Sequence, residues 1–318
     1  MERRPDGEDP RRRPGAVARA LVLVRAYGDL TKARLASLVV VTAGAGFVMA
    51  GRSPLDVSTL LSTVVGTALA AAGAMALNEV IEAERDARME RTRNRPLPAG
   101  TIGPLQASVA GVLLAVSGLA LLAARTTALT AFLGLTVVLL YTLVYTPLKA
   151  RTPLCTLVGA VCGAIPPLMG WTATGAPLSF GAWLLAGVLF LWQIPHFLAL
   201  AWMYRDDYRR GGFRMLPAVD PSGSATGVMA ALYSLALLPV GVMAVVGGLA
   251  GWLFGAGSLL LGAGLVALAL RLAAARDGAV ARRLFLGTLA YLPLLLALMV
   301  ADRVPQATRL MLAALAVR

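Results

Sequence analysis

The sequence predicts an all-α integral membrane protein, a bundle of about nine transmembrane helices around a central cavity open to the cytoplasmic face. Three observations support this prediction. Of the 318 residues, 58% are hydrophobic and only 14% are charged, whereas soluble domains carry about 25% charged residues. The apolar residues form continuous runs close to the roughly 20 residues with which a helix crosses a bilayer. These runs lack the two-residue alternation of membrane β-strands. A water-soluble enzyme is therefore excluded.

The apolar runs locate the individual crossings. Windows of about 19 residues place them near 35–50, 60–77, 104–124, 128–145, 154–171, 181–202, 228–249, 252–270 and 284–301. The N-terminal segment before them carries many charges of both signs and has no apolar signal-peptide core. We expect residues 1–27 to form a disordered basic cytoplasmic tail and residues 28–318 to form one intramembrane domain.

The basic residues predict the orientation. The net charge is +13, and 24 of the 29 Lys and Arg residues fall in the N-terminal tail and in every second loop, against 5 on the other side. Loops rich in Lys and Arg stay in the cytoplasm, so we expect a multi-pass protein of the cell (inner) membrane with a cytoplasmic N-terminus. The orientation of the chain in the lipid bilayer then accounts for the excess of Lys and Arg, and no nucleic-acid partner is needed to explain it.

A polar cluster follows the second crossing. Asn78, Glu82 and Asp86 stand at i, i+4 and i+8 and share one face if the helix continues. The two carboxylates repel each other at this spacing. A Mg²⁺ ion bound between them would replace that repulsion by attraction, and Mg²⁺ is commonly held by one or two carboxylates together with substrate phosphates. Arg91 and Arg95 add guanidinium groups suited to phosphate oxygens. The cluster predicts a Mg²⁺ and diphosphate site; the alternative is a solvated helix end whose arginines anchor the topology.

The loop after the sixth crossing repeats this chemistry. It places carboxylates beside arginines in the run Tyr204-Arg205-Asp206-Asp207-Tyr208-Arg209. Since the second and sixth crossings end on the same side of the membrane, we expect the two clusters to face one cavity. Chance recurrence is the alternative.

These motifs resemble a known family. The stretch from Asn78 to Leu97, with the spacing Asn-x₃-acid-x₃-Asp-x₄-Arg-Thr-x₂-Arg-Pro-Leu, resembles the first Asp-rich motif of the UbiA superfamily of intramembrane prenyltransferases. Pro195-His196-Phe197 and the run from Tyr204 to Tyr208 are similar to the haem-prenylating branch of that superfamily. The resemblance covers about residues 28 to 300. The family most often has Asp where this chain has Glu82, and the longer side chain shifts the expected metal geometry.

The resemblance implies an enzyme that transfers the farnesyl group of farnesyl diphosphate to a vinyl group of haem B, with addition of water, giving haem O and diphosphate. Mg²⁺ is the implied cofactor, and a downstream haem A synthase is a candidate partner. Residues 28–318 would then be an intramembrane prenyltransferase domain. On this basis the expected metal ligands are Asn78, Glu82, Asp86, Asp206 and Asp207. The expected diphosphate-binding residues are Arg91, Arg95, Lys149, Arg205 and Arg209, and Asp86, Asp207 and Lys149 are the expected catalytic residues.

Three further side chains have two interpretations each. His196, the single histidine, lies within the sixth predicted crossing; it either contacts the haem substrate, since imidazole is a common axial haem ligand, or hydrogen-bonds between helices. Tyr141 and Tyr145 either present aromatic faces to a developing cation or belong to an interfacial aromatic belt.

Three other functions stay open at this point. The first is a related prenyltransferase acting on a quinone precursor or a chlorophyll-type tetrapyrrole. The second is a membrane transporter, although transporters place ionisable residues near the midplane and these carboxylates cluster at one face. The third is a structural subunit of a respiratory complex, which predicts no Mg²⁺-dependent turnover.

Overall fold

The computed structural model describes residues 16–51 and 54–304. The first half contains α1 (Ala16–Leu30), α2 (Ala33–Met49), α3 (Val57–Asp86), α4 (Pro104–Arg125), α5 (Ala128–Leu139), a π-helical segment (Leu140–Tyr145), α6 (Thr146–Leu148) and α7 (Cys155–Ala173). The second half contains α8 (Phe180–Met203), α9 (Arg205–Arg210), α10 (Leu216–Val219), α11 (Ser224–Val246), α12 (Trp252–Ala275) and α13 (Gly278–Ala301). The predicted all-α fold class is confirmed.

Eight helical stretches of the described chain are long and apolar enough to cross a membrane. They are α3, α4, the stretch 128–148, α7, α8, α11, α12 and α13. The apolar part of α2, Ala36–Met49, lies at the first predicted crossing but is shorter than the others. The predicted count of nine is therefore approximate.

The N-terminal segment differs from the prediction. Helix α1 begins at Ala16, so the predicted disorder of the tail is wrong for residues 16–27, while residues 1–15 lie outside the described residues. The helix turns Ala26 and Leu30 into the protein and leaves Leu21 exposed. Its apolar stretch is too short to register as a crossing, and for that reason the hydropathy pattern missed it.

The long helices pack in two connected groups. In the first, α3 packs against α2 and α4, and α7 packs against α2 and α5. In the second, α8 packs against α11 and α13, and α12 packs against α11 and α13. The groups join where α7 contacts α8 and where α2 contacts α13. Helices α7 and α8 are central and mostly buried, whereas α4 and α11 expose most of their apolar surface, as expected of helices that face lipid.

Small residues set the spacing of several helices. A Cβ at Gly170 of α7 would overlap the carbonyl oxygen of Ala43 in α2, and a Cβ at Gly73 of α3 would lie 2.5 Å from the carbonyl oxygen of Gly111 in α4. In a bilayer, association relies on close packing because lipid is as apolar as the side chains. The Gly-rich composition of these runs therefore brings helix backbones together.

Three loops that the charge count assigned to one side meet at one end of the bundle. The amides of Glu90 and Arg91, in the loop after α3, donate to the carboxylate of Asp207 in α9. The amide of Arg214 donates to the carbonyl oxygen of Lys149 at 2.7 Å. A cavity of about 310 Å³ extends from this end into the bundle.

Candidate active site

Three polar side chains of α3 line the cavity at this end. Asn78, Glu82 and Asp86 are buried and all face the cavity. Helix α3 continues unbroken to Asp86, so residues four apart stand on one face. The structure thus places the first predicted cluster together, on one wall.

Each member of this α3 set faces a basic side chain. Lys32 Nζ lies 2.7 Å from Asn78 Oδ1, and Lys149 Nζ lies 2.5 Å from Glu82 Oε1. Arg95 Nη1 lies 2.6 Å from Asp86 Oδ2. Buried charges are tolerated when they are paired and hydrogen-bonded. The acids and bases of the site are thus held opposite one another across the polar end of the cavity.

The orientation of Asn78 is fixed by its neighbours. Its Nδ2 donates to Thr146 Oγ1 at 2.9 Å, which leaves Oδ1 as the atom that faces Lys32. Thr146 Oγ1 in turn donates to the carbonyl oxygen of Tyr141 at 2.8 Å. Thr146 directly follows the π-helical segment, and such segments are frequent at functional sites. Asn78 therefore offers an oxygen ligand to the cavity.

Lys32 is a site residue that sequence reasoning missed. It stands in the turn between α1 and α2 with φ of 47°, a conformation that residues other than glycine rarely adopt. Burial, together with the positive charges of Arg95 and Lys149, lowers the pKa of Lys32 to about 8, although the carboxylates of Glu79 and Glu82 oppose this shift. The sequence showed Lys32 only as one of nine basic residues before the first crossing, with no motif to distinguish it.

Lys149 directly follows α6 and lies beside the carboxylate of Glu82. Burial by itself lowers the pKa of Lys149, but Glu82 more than offsets that effect and the pKa lies above its ordinary value. The ammonium group also lies 4.9 Å from the centre of the Tyr145 ring and 5.6 Å from that of Phe213. Lys149 therefore keeps its charge inside the cavity, as its predicted diphosphate-binding role requires.

The loop after α3 supplies two arginines to the cavity. Both Arg91 and Arg95 line it. The Arg91 guanidinium lies 4.8 Å from the centre of the Tyr204 ring, and its Nη2 donates to Tyr208 Oη at 3.3 Å. Arg95 Nε lies 3.7 Å from Glu79, a buried acid to which sequence reasoning gave no role.

The second predicted cluster is not brought to the cavity as a set. The carboxylate of Asp206 is exposed and pairs with Arg209 at 3.0 Å, and the Arg209 Nε donates to the carbonyl oxygen of Ala218. Arg205 stacks on Trp202 at 4.3 Å. None of these side chains lines the cavity. In this substrate-free arrangement the three side chains lie outside the cavity lining, so the metal role of Asp206 and the diphosphate roles of Arg205 and Arg209 stay predictions.

Asp207 is buried but is not among the residues that line the cavity. Its Oδ1 accepts from the Glu90 amide at 2.8 Å and its Oδ2 from the Arg91 amide at 3.1 Å. Arg210 Nη2 lies 2.6 Å from Oδ1. Burial alone raises the pKa of Asp207, but the hydrogen bonds from Arg210, Arg91 and Glu90 outweigh it and lower the pKa. These bonds occupy the carboxylate of Asp207 in the metal-free structure, and its expected role as a metal ligand stays a prediction.

His196 lines the cavity from α8. Its ring stacks between Trp192, at 5.0 Å between ring centres, and Phe285, at 4.8 Å. Its Nδ1 lies 2.9 Å from Thr288 Oγ1, and that hydroxyl donates to the carbonyl oxygen of Phe285 at 2.6 Å. Because a hydroxyl has one proton, Thr288 accepts from Nδ1–H, and Nε2 carries the free lone pair.

The remaining wall is mostly apolar. Tyr141 and Tyr145 both line the cavity, with ring centres 5.1 Å apart, so neither is a member of a lipid-facing belt. Side chains of α2, α3, α5, α7 and α8 complete the wall: Leu38, Val39, Ala70, Ala71, Ala74, Met75, Val137, Val138, Pro166, Met169 and Phe197. One cavity therefore joins a charged end, a histidine and an apolar chamber.

Comparison with known proteins agrees with this arrangement. Residues 39–292 match the UbiA prenyltransferase family. The protoheme IX farnesyltransferase of Koribacter versatilis is 40% identical over 301 residues, which cover 92% of this chain and 96% of that protein.

Two solved structures have the same fold. A structure of digeranylgeranylglyceryl phosphate synthase superposes with a TM-score of 0.73 at 14% identity, covering 88% of this chain and 98% of the other. The structure of a UbiA homologue from Archaeoglobus fulgidus bound to GPP and Mg²⁺ superposes with a TM-score of 0.62 at 13% identity, covering 86% of this chain and 99% of the other. With the family match and the 40% identity, these findings show that the chain belongs to the UbiA prenyltransferase family.

Proposed function

We propose that the chain transfers the farnesyl group of farnesyl diphosphate to a vinyl group of haem B, with addition of water, and releases haem O and diphosphate. The observation that carries this proposal is one cavity. In it the polar side chains of α3, paired with Lys32, Lys149 and Arg95, lie next to an apolar chamber and His196. Such a cavity offers a binding place for a charged head group at one end and for apolar groups at the other. The names of relatives at about 40% identity support the same choice of substrates.

The α3 set fits Mg²⁺. It offers two carboxylates and an amide oxygen, the hard ligands that Mg²⁺ takes. Mg²⁺ is commonly held by one or two carboxylates together with substrate phosphates, and a UbiA homologue from Archaeoglobus fulgidus has been solved bound to GPP and Mg²⁺. When bound by Asn78, Glu82 and Asp86, Mg²⁺ would neutralise the charge on the leaving diphosphate.

The basic residues act on the same leaving group. When the bond between farnesyl C1 and the diphosphate oxygen breaks, its electron pair leaves with the diphosphate. Lys32, Lys149, Arg91 and Arg95 all line the cavity, so their charges are in place where negative charge develops. In the substrate-free site Lys149 and Arg95 pair with Glu82 and Asp86, and Lys32 donates to the side-chain oxygen of Asn78. Bound diphosphate would pair with the basic side chains, and the carboxylates of α3 would then be free to bind the metal.

The allylic carbon that remains is cation-like and needs a dry, electron-rich pocket. Tyr141 and Tyr145 border the cavity beside Lys149, and aromatic faces attract cations. The Ala-rich side of α3 leaves room for the isoprenoid tail. These residues would bind the tail, orient C1 toward the acceptor and keep water from the cation until the acceptor reacts.

The acceptor end is at His196. Its free Nε2 can contact haem iron, and Trp192 and Phe285 hold the ring in a fixed plane. The terminal vinyl carbon of the bound haem then attacks C1 and forms the new C–C bond. Water adds to the vinyl carbon next to the macrocycle and loses a proton to solvent, which yields the hydroxyl group of haem O.

We place the charged end of the cavity at the cytoplasmic face of the cell membrane. The loops at that end are those in which Lys and Arg concentrate. Farnesyl diphosphate would enter with its head at this face, and haem B would enter from the same side or from the bilayer.

Diphosphate release tests this proposal against its rivals. The purified chain in liposomes is given farnesyl diphosphate and Mg²⁺ with haem B, with a quinone precursor, or with neither. We expect release only with haem B. Release that depends on the quinone precursor would favour the related prenyltransferase, and solute transport without any release would favour a transporter.

A further inference from the structure

We infer that Gln193 is a positioning residue whose side-chain oxygen holds the water molecule that adds to the farnesylated vinyl group of the haem. The inference rests on the proposed function, because that reaction needs one water molecule at the acceptor end of a largely apolar chamber. It deepens that function by naming the residue that decides between two possible haem products.

Gln193 presents a buried carboxamide to the cavity from the middle of α8. Only 6% of the residue is exposed, and it lines the cavity. Its Nε2 donates to the carbonyl oxygen of Leu189 at 2.9 Å and to that of Ala160 at 3.5 Å. Its Oε1 accepts no hydrogen bond from the part of the chain that the structure describes. Because buried polar atoms are almost always paired, this oxygen is open to a ligand that carries an O–H or N–H group.

Helix α7 supplies space and further acceptors beside this carboxamide. A Cβ at Gly163 would overlap both Oε1 and Nε2 of Gln193. Cys162 and Gly163 both line the cavity. Four positions after each of them stands a proline, Pro166 and Pro167 respectively. Proline has no amide proton, so the carbonyl oxygens of Cys162 and Gly163 lack their usual donors within the helix.

This group of acceptors fits a water molecule. It consists of neutral oxygen atoms, and a buried water makes about three hydrogen bonds to polar groups that otherwise lack partners. A water that donates both of its protons to these oxygens keeps a lone pair for the cavity. His196 follows Gln193 by three positions, about 4.5 Å along the helix. A haem that meets its Nε2 therefore lies within one helical turn of this water.

The held water decides how the vinyl cation reacts. Once the terminal vinyl carbon has bonded to farnesyl C1, the carbon next to the macrocycle carries the positive charge. The water oxygen donates a lone pair to that carbon and forms the C–O bond. One proton of the water then passes to solvent, which leaves the hydroxyl group of haem O. Without a held water, the former terminal vinyl carbon loses a proton instead, and its C–H electron pair forms a double bond. That product is lighter than haem O by one water.

The ratio of these two products tests the inference and does not depend on the overall rate. The full chain in liposomes is given haem B, farnesyl diphosphate and Mg²⁺, and the extracted haems are weighed by mass spectrometry. Gln193→Leu removes the acceptor at similar size, whereas Gly163→Ala keeps the glutamine but displaces its carboxamide. Gln193→Glu, in its neutral form, keeps one acceptor oxygen and one donor. Ser234→Ala, which removes a buried hydroxyl bonded within α11, is the matched control.

We expect the parent chain and Ser234→Ala to give haem O almost alone. The share of the dehydrated product should rise by about tenfold or more in both Gln193→Leu and Gly163→Ala, because the reacting water is no longer held in place. Gln193→Glu should resemble the parent more than it resembles Gln193→Leu.

Two results would overturn the inference. Haem O as the sole product of Gln193→Leu and Gly163→Ala would show that the water needs no carboxamide. Complete loss of farnesylated haem in both variants would assign Gln193 to packing or to haem binding, since those roles lower the yield of both products together. A parent chain that makes no farnesylated haem at all would instead contradict the proposed function, and the inference would fall with it.

Discussion

The Nδ1 atom of His196 lies 2.9 Å from the hydroxyl oxygen of Thr288, and that hydroxyl donates to the carbonyl oxygen of Phe285. The pair joins α8 to α13, and Trp192 Nε1 adds a second bond between the two helices by donating to the Thr288 carbonyl oxygen at 2.8 Å. The hydroxyl therefore selects the tautomer in which Nε2 is free to meet the haem. Partners of this kind, which orient a ligating histidine, tune metal affinity.

Thr288→Val tests this relationship. Valine has nearly the same shape but cannot accept from Nδ1–H, so the affinity for haem B should fall by about 10-fold or more, while the affinity for farnesyl thiodiphosphate stays unchanged. His196→Ala should show the same selectivity with a larger loss of haem binding. Optical titration with haem and calorimetry with the analogue measure both affinities. Thr136→Val, at a half-buried threonine that donates within its own helix, is the control, and equal loss of both ligands in Thr288→Val would point to misfolding instead.

Asp86→Asn tests the α3 set. The amide keeps the shape of the side chain but removes its negative charge. We assign that charge to metal binding, and in the substrate-free site it pairs with Arg95. The kcat/KM for haem O formation should fall by about 100-fold or more, while the protein inserts normally into the membrane. Glu84→Gln removes an exposed acid from the opposite face of α3 and should be neutral. Removal of divalent ions with EDTA should stop the parent reaction and Mg²⁺ should restore it; activity that persists in EDTA would contradict the metal assignment.

Lys32→Met tests the residue that the sequence did not reveal. Loss of its charge removes one donor to the diphosphate, so the KM for farnesyl diphosphate should rise by about 10- to 100-fold and the KM for haem B should not change. Lys32→Arg keeps the charge and should recover most of the difference. A Lys32→Met enzyme with unaltered steady-state kinetics would remove this lysine from the site.

Gly170→Ala tests the close contact of α2 and α7. A Cβ there would overlap the carbonyl oxygen of Ala43, and overpacking of this kind costs about 1–3 kcal/mol. Thermal unfolding in detergent should occur at a lower temperature. Gly187→Ala, in α8, meets nothing within 4 Å and should leave the unfolding temperature unchanged or raise it slightly, because alanine loses less backbone entropy on folding. The same unfolding temperature for both variants would be inconsistent with the close contact.

The sequence predicted those features that depend on local geometry. Helix periodicity was enough to place Asn78, Glu82 and Asp86 on one face, because positions four apart align whatever the rest of the fold. Hydropathy and the distribution of Lys and Arg were likewise enough to find the long helices and the loops that meet at the charged end. These predictions needed only neighbours in the chain.

Features that depend on distant contacts could not be predicted in this way. Asp206 and Asp207 are adjacent and chemically equal, yet one is exposed and the other holds amides more than a hundred residues away. No periodic pattern distinguishes them. Lys32 reaches the site from the turn before α2, where its backbone is left-handed, and nothing in a run of basic residues indicates which one turns inward.

The mass of the haem extracted from membranes that contain this chain tests the central claim most directly. Membranes supplied with haem B, farnesyl diphosphate and Mg²⁺ should yield a haem heavier by one farnesyl group and one hydroxyl group, and membranes with the Asp86→Asn chain should yield unmodified haem B. Unmodified haem from the parent chain, with its α3 set intact and both substrates present, would contradict the account.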